Sequence, residues 1–191
     1  MKSVVGAGTG AVARRVVPVV AAVAAAVSFA ACGVLRDDGP AKVDAAAAEQ
    51  DVVSAAGWTR IATTKDYLLV VNVLPGEHMF TTSELDELHP IAGECIIRGI
   101  GNQLGPNVRH VEAHVYDRTT GLPTTTVTPS IQLSDLDSGA VINVEPTMMQ
   151  DVVIGAVDVH FGNNVVLPGN RDVRVAVAIG NESVVISGHL D

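Results

Sequence analysis

Between residues 172 and 179 apolar and polar side chains alternate. Val173, Val175, Val177 and Ile179 fall on one face and Arg174 on the other. A period of two belongs to a strand that buries one side against a core. From Gly57 onward the same texture recurs, with short runs of Val, Ile and Thr cut by Gly, Pro, Asn and Asp. The pattern predicts strands at 67–74, 94–97, 108–116, 124–133, 140–144, 158–167, 172–179 and 184–187. Turn residues separate most of them, at Pro75-Gly76, Asp137-Ser138-Gly139, Pro168-Gly169-Asn170 and Gly180-Asn181. Residues 81–89 fit a turn or two of helix. No amphipathic helix of crossover length lies between the strands, which argues against a parallel α/β sheet. An all-β domain is expected, a β-sandwich with a small barrel as its rival.

The first 31 residues have a different pattern. Arg14 and Arg15 precede an apolar run over 16–31 that is polar only at Ser28 and contains one proline, Pro18. The run is short for a membrane span and ends in small residues. Ser28-Phe29-Ala30-Ala31-Cys32 resembles a bacterial lipobox, in which the cysteine is lipidated and becomes the new N-terminus. Phe29 stands where leucine is usual. The arginine pair lacks the remaining residues of a twin-arginine signal. The organisation expected is a lipoprotein signal at 1–31, a flexible tether at 32–57 with a short helix near 49–56, and a sandwich domain at 58–191. A plain cleaved signal and an uncleaved anchor are the alternatives. A lipidated Cys32 leaves Cys95 alone, as a small buried hydrophobe, a metal ligand or a redox thiol.

Charge narrows the partners. The chain carries 12 Lys+Arg against 21 Asp+Glu, a net of −9. Lys2, Arg14 and Arg15 all precede Cys32 and no acid does, so the remainder has nine basic groups and a net of −12. Such a surface repels nucleic acid and draws cations. Aromatic residues, at 3%, are too few for a base-stacking platform. Phosphate loops, nucleophile elbows, HExxH, EF-hand loops and CxxC pairs are all missing. A non-catalytic lipoprotein is therefore expected, binding a metal ion or, as the alternative, a protein or cell-envelope component. A secreted enzyme with a paired-carboxylate site is the third reading, and no motif points to it.

The candidate chemistry lies in Arg109-His110-Val111-Glu112-Ala113-His114-Val115-Tyr116. On a strand, His110, Glu112 and His114 share one face, while Val111, Ala113 and Val115 take the core face. The polar triplet then points away from the core. Imidazole with carboxylate suits copper, iron or zinc. Same-face neighbours are about 7 Å apart along the backbone, so a complete site needs ligands from another strand. A solvated strand face is the competing reading. Met148 and Met149 offer thioethers, and two successive residues of a strand cannot both enter one core. His160 sits beside Gly162-Asn163-Asn164, and Glu77-His78-Met79 follows a turn. Thioether with imidazole favours copper, especially Cu(I). His89 and His189 look incidental.

Taken in order, these segments resemble the periplasmic P19/Tp34 family of metal-binding proteins. That family carries His-x-Glu-x-Asp on a strand, then Met-Pro-Met, then Gly-x-His-Tyr-Gly-x-Asn. Here His110-Val111-Glu112-Ala113-His114 corresponds to the first, with His114 in place of Asp. Pro146-Thr147-Met148-Met149 corresponds to the second, without its internal proline. Val159-His160-Phe161-Gly162-Asn163-Asn164 corresponds to the third. Met149 precedes His160 by 11 residues, a longer interval than in the family. The resemblance implies an immunoglobulin-like β-sandwich, usually a homodimer, with copper or iron held between strands. It implies His110, Glu112, Met149 and His160 as ligands, with Met148, His114, Glu77, His78 and Met79 as further candidates. A membrane permease is the implied partner, and the lipid anchor places the domain outside the cytoplasm.

Overall fold

The computed structural model describes residues 53–54 and 57–191. The strands among them are β1 (Val53–Ser54), β2 (Gly57–Thr63), β3 (Tyr67–Pro75), β4 (Met79–Phe80), β5 (Glu94–Arg98) and β6 (Val108–Asp117). They continue as β7 (Ser130–Asp135), β8 (Val141–Val144), β9 (Thr147–Asp151), β10 (His160–Val166), β11 (Arg171–Ile179) and β12 (Glu182–Leu190). One helix, α1 (Thr82–Leu88), and a 3-10 turn at Gly155–Asp158 complete the described elements.

Two sheets form a β-sandwich. One has the order β1-β2-β3-β6-β10-β9-β5-β4, the other β12-β11-β7-β8. Their facing sides make one core, with Leu69, Val71, Val73, Val111, Ala113, Val115 and Phe161 from the large sheet. Leu133, Val173, Val175 and Val177 meet them from the small sheet. The alternation at 173–179 is thus the imprint of the second sheet on β11. Trp58 of β2 reaches across to β12, where a side chain at Gly188 would come within 2.7 Å of the indole Cε2. Gly180 opens the two-residue turn between β11 and β12 with φ +59, the conformation that favours glycine at the first position of such hairpins.

The helix expected near 81–89 is α1. Thr81 caps it by accepting from the Glu84 N–H, and Glu84 reaches back to the Thr81 N–H in a capping box. His89 closes it in the left-handed conformation, its N–H donating to the Leu85 carbonyl.

Several boundaries differ from the sequence pattern. The strand expected at 124–133 begins only at Ser130, because Pro123 and Pro129 flank the missing part and cannot donate to a ladder. β12 runs past the glycine that seemed to end it and pairs to Leu190 opposite Arg171. β2 and β9 were not foreseen. Within the stretch expected to be helical near 49–56, Val53 and Ser54 pair with Trp58 and Gly57 as strand, and its other residues lie outside the described ones. The signal at 1–31 and nearly all of the tether lie outside the described residues. Cys95 is 1% exposed and disulfide-bonded, which corrects the expectation of a lone cysteine. The chain's other cysteine, Cys32, lies outside the described residues.

Candidate metal centre

β6 runs between β3 and β10 near the middle of the large sheet. Antiparallel partners share a face, so the registers define the site. Glu112 lies opposite Asn72 on β3 and Gly162 on β10. His110 lies opposite Leu74 and Asn164. His160 lies opposite Met149 on β9. A side chain at Gly162 would collide with the Val111 carbonyl oxygen and approach the Glu112 Cα to 2.8 Å, so the glycine permits the close approach of β10 to β6 at Glu112.

The triplet faces away from the sandwich core, yet it is not solvated. His110, Glu112 and His114 are 0%, 5% and 6% exposed. This overturns the reading of a wet strand face. Asn164 draws the flanking segments onto the site. Its Nδ2 donates to the carbonyls of Glu77 (2.7 Å) and Asn102 (2.9 Å), and its Oδ1 accepts from the Glu77 N–H at 3.1 Å. Asn163 accepts from the Asn102 N–H at 2.7 Å.

Inside this cover the ligand atoms converge. His110 Nε2 lies 3.3 Å from Glu112 Oε2, and His160 Nε2 lies 3.2 Å from the same oxygen. All three atoms fall within 4.8 Å of one another. A tetrahedral ion with bonds of about 2.0–2.1 Å separates its ligands by about 3.3–3.4 Å, which the two distances to Glu112 approach. The opposite ring nitrogens are already committed. His110 Nδ1 is 3.2 Å from Asn164 Oδ1, and His160 Nδ1 is 2.8 Å from the Asp158 carbonyl. Donation from each Nδ1–H leaves Nε2 as the metal-facing lone pair. Neither Nε2 has a hydrogen-bond partner, nor does Glu94 Oε2. Buried polar atoms left in this way are costly unless a cation completes them.

His114 contacts the other oxygen of Glu112, at 3.2 Å, and lies 3.9 Å from Asp158. Its ring stacks on Tyr116 at an interplanar angle of 4°. Asn72 also donates to that Glu112 oxygen.

Protonation follows the same contacts. Burial alone would raise the Glu112 pKa, but His160, with His110 and His114, holds it well below the usual carboxylate range. Burial alone would lower His160, but Glu112, Asp158 and Glu94 raise it to about 10. Burial lifts Glu94 to about 9 against the pull of His160. Without an ion, a proton held between imidazole and carboxylate takes over part of the cation's role.

Of the residues singled out from the sequence, His110, Glu112 and His160 form one cluster, and His114 adjoins it. Met149 is fully buried and opposite His160, whereas Met148 belongs to the sandwich core. Glu77 is near enough for its charge to act on His110, and burial raises its pKa. Met79 is buried on β4, and His78 is exposed and stacked on Phe80. His89 caps α1, and His189 pairs with Asp172 on the surface. Sequence reasoning passed over Glu94, Asn72 and Asp158. The available signal for Glu94 was a carboxylate opening an apolar run, Glu94-Cys95-Ile96-Ile97.

No family model matches the chain, and no curated protein sequence matches it. Among solved structures it is similar to a copper-bound variant of FetP from uropathogenic Escherichia coli strain F11. That alignment has 14% identity and a TM-score of 0.46, over 71% of this chain and 96% of the other. It is also similar to a copper-bound variant of Campylobacter jejuni P19, at 13% identity and TM-score 0.44 over 74% and 97% of the two chains. A DUF4426 family protein from Pseudomonas aeruginosa PAO1 aligns at 11% identity and TM-score 0.43 over 70% and 96%.

Proposed function

We propose that the chain is an extracytoplasmic lipoprotein whose sandwich domain binds copper or iron as cargo and passes it to a membrane transport system. The observation that carries this reading is the meeting of His110 Nε2, His160 Nε2 and Glu112 Oε2 in a buried space, with both imidazoles oriented from behind. Side chains serving only the fold would satisfy those atoms internally. Imidazole and carboxylate fit both ions, and Met149 would add a soft donor suited to copper. The lipobox at Ser28–Cys32 supports the anchor, and the acidic surface would concentrate cations near the site.

Metal titration of the full chain, purified without a histidine tag, tests the reading. Cu(II), Cu(I), Fe(II) and Zn(II) would be compared by calorimetry and elemental analysis, beside His160→Ala and Glu112→Ala. One ion per chain, lost in both variants that remain folded, is the expected result. Failure of every ion to bind stoichiometrically would end the proposal.

A further inference from the structure

The excursion from Thr81 to Gly99 adds β5 to the edge region of the large sheet but buries few side chains. None of the α1 side chains is buried, and within 81–99 only Glu94 and Cys95 are. A segment of this length thus brings a single carboxylate beneath the surface, and it brings it to the histidine cluster. Resting on the metal-binding reading above, we propose that Glu94 is a further ligand of the ion and biases the site toward a divalent cation such as Fe(II), Mn(II) or Zn(II) over Cu(I).

The placement of Glu94 belongs to the backbone. Its N–H donates to the His78 carbonyl at 2.7 Å, and it stands in register with Asp151 on β9 and Met79 on β4. Gly93 precedes it at φ +110, packed so closely that an added Cβ would lie 2.6 Å from the His78 carbonyl oxygen. From there the Glu94 side chain, 5% exposed, reaches His160 Nε2 with Oε2 at 3.4 Å. That distance again matches the edge of a tetrahedron around a small ion. Both atoms lack hydrogen-bond partners, so the contact satisfies neither of them. An ion between them satisfies both. Glu77, whose own backbone is held by Asn164, lies near enough for its charge to act on Glu94.

Two imidazoles and two carboxylates make an oxygen-rich set. Carboxylate oxygens favour the harder divalent ions, while Cu(I) gains little from them and more from a thioether. Glu94 and Met149 therefore act in opposite directions on the ion chosen.

The test compares the wild-type full chain with Glu94→Gln and Met149→Leu by anaerobic titration with Mn(II), Fe(II) and Cu(I). Glu94→Gln is expected to weaken Mn(II) and Fe(II) by at least about tenfold while leaving Cu(I) within about threefold. Met149→Leu is expected to reverse that order. A Glu94→Gln variant that binds Mn(II) and Fe(II) like wild type, or loses Cu(I) equally, overturns the proposal while the metal-binding reading stands. A wild-type chain that binds no ion overturns both. Wild-type crystals soaked in Zn(II) give a measurement that needs no variant. An ion about 2.0–2.2 Å from a Glu94 oxygen supports the assignment, and an ion bound out of its reach refutes it.

Discussion

Asn164 Oδ1 lies 3.2 Å from His110 Nδ1, and the two residues face each other across the β6–β10 ladder. The same amide also donates to the Glu77 and Asn102 carbonyls. Its oxygen thus orients an imidazole while its nitrogen holds down the cover. Substitutions can separate these two tasks. Asn164→Asp keeps an acceptor for His110 but leaves two carbonyls without their donor. It is expected to retain metal binding and lose about 1–3 kcal/mol of stability for each group left unsatisfied. Asn164→Leu removes both functions and is expected to lower metal affinity by about 10–100-fold as well. Urea melts and metal titrations of both variants check this. Equal affinity in the two would refute the orienting role.

The protonation of the cluster sets a pH dependence for the metal-free protein. Glu94 rises from 4.5 to about 9 and His160 from 6.5 to about 10 on folding. In those windows the folded chain keeps protons that the unfolded chain has released, so stability falls as pH rises. The slope is at most about 1.4 kcal/mol per pH unit for each proton. Glu112 acts oppositely. Its pKa is depressed, so its contribution is present above 4.5 and disappears on acidification through its lower folded value. Metal-free stability should therefore decline between pH 6.5 and 9, and saturating metal should remove the decline by displacing the protons. Denaturation midpoints at several pH values, with and without ion, measure it. A metal-free midpoint that rises across this window would contradict the assignment.

How far the site was legible follows from distance along the chain. His110, Glu112 and His114 share a face because a strand repeats every two residues, and that rule needs only local sequence. Their burial is not local. It depends on Asn164 capturing the backbone of Glu77 and Asn102, which no periodicity records. Glu94 was hidden for a similar reason. Whether a carboxylate at the head of an apolar strand points in or out depends on its register with Asp151 on β9. The β9 strand itself, Thr147–Asp151, was masked by the turn-like residues before it. On β11 the alternation carried over intact, since its buried face meets a uniformly apolar core.

Met148 and Met149 differ in what surrounds them. Met148 packs in the core between the sheets, and Met149 lies opposite His160 on the site face. Met148→Ala is expected to cost about 2–5 kcal/mol, the usual range for truncating a buried methionine, with metal affinity little changed while the domain stays folded. Met149→Leu keeps volume and should cost less than about 1.5 kcal/mol, while weakening Cu(I). Paired urea melts and Cu(I) competition titrations distinguish the two. A Met149→Leu variant with unaltered Cu(I) affinity would remove the thioether from the site.

The lipid anchor and the disulfide make competing demands. Cys95 is disulfide-bonded and buried, and Cys32 is the chain's other cysteine. A thioether-linked lipid occupies the sulfur of Cys32, so that sulfur cannot also join a disulfide within the same chain. The lipoprotein reading thus requires a mature chain that begins at Cys32 and carries lipid there. Intact-mass and peptide-mass measurement of the chain extracted from membranes, before and after reduction, decides the matter. Under that reading Cys95 must pair with a cysteine of another molecule, so the expected result is an N-terminal Cys32 peptide heavier by the acyl groups, itself unchanged by reductant, with the Cys95 peptide released from a second chain. A lipid-free Cys32 peptide released from Cys95 by reductant would end the lipoprotein assignment. The metal centre would survive that outcome, because none of its histidines or carboxylates lies before Glu77. A soluble exported carrier would then replace the anchored one.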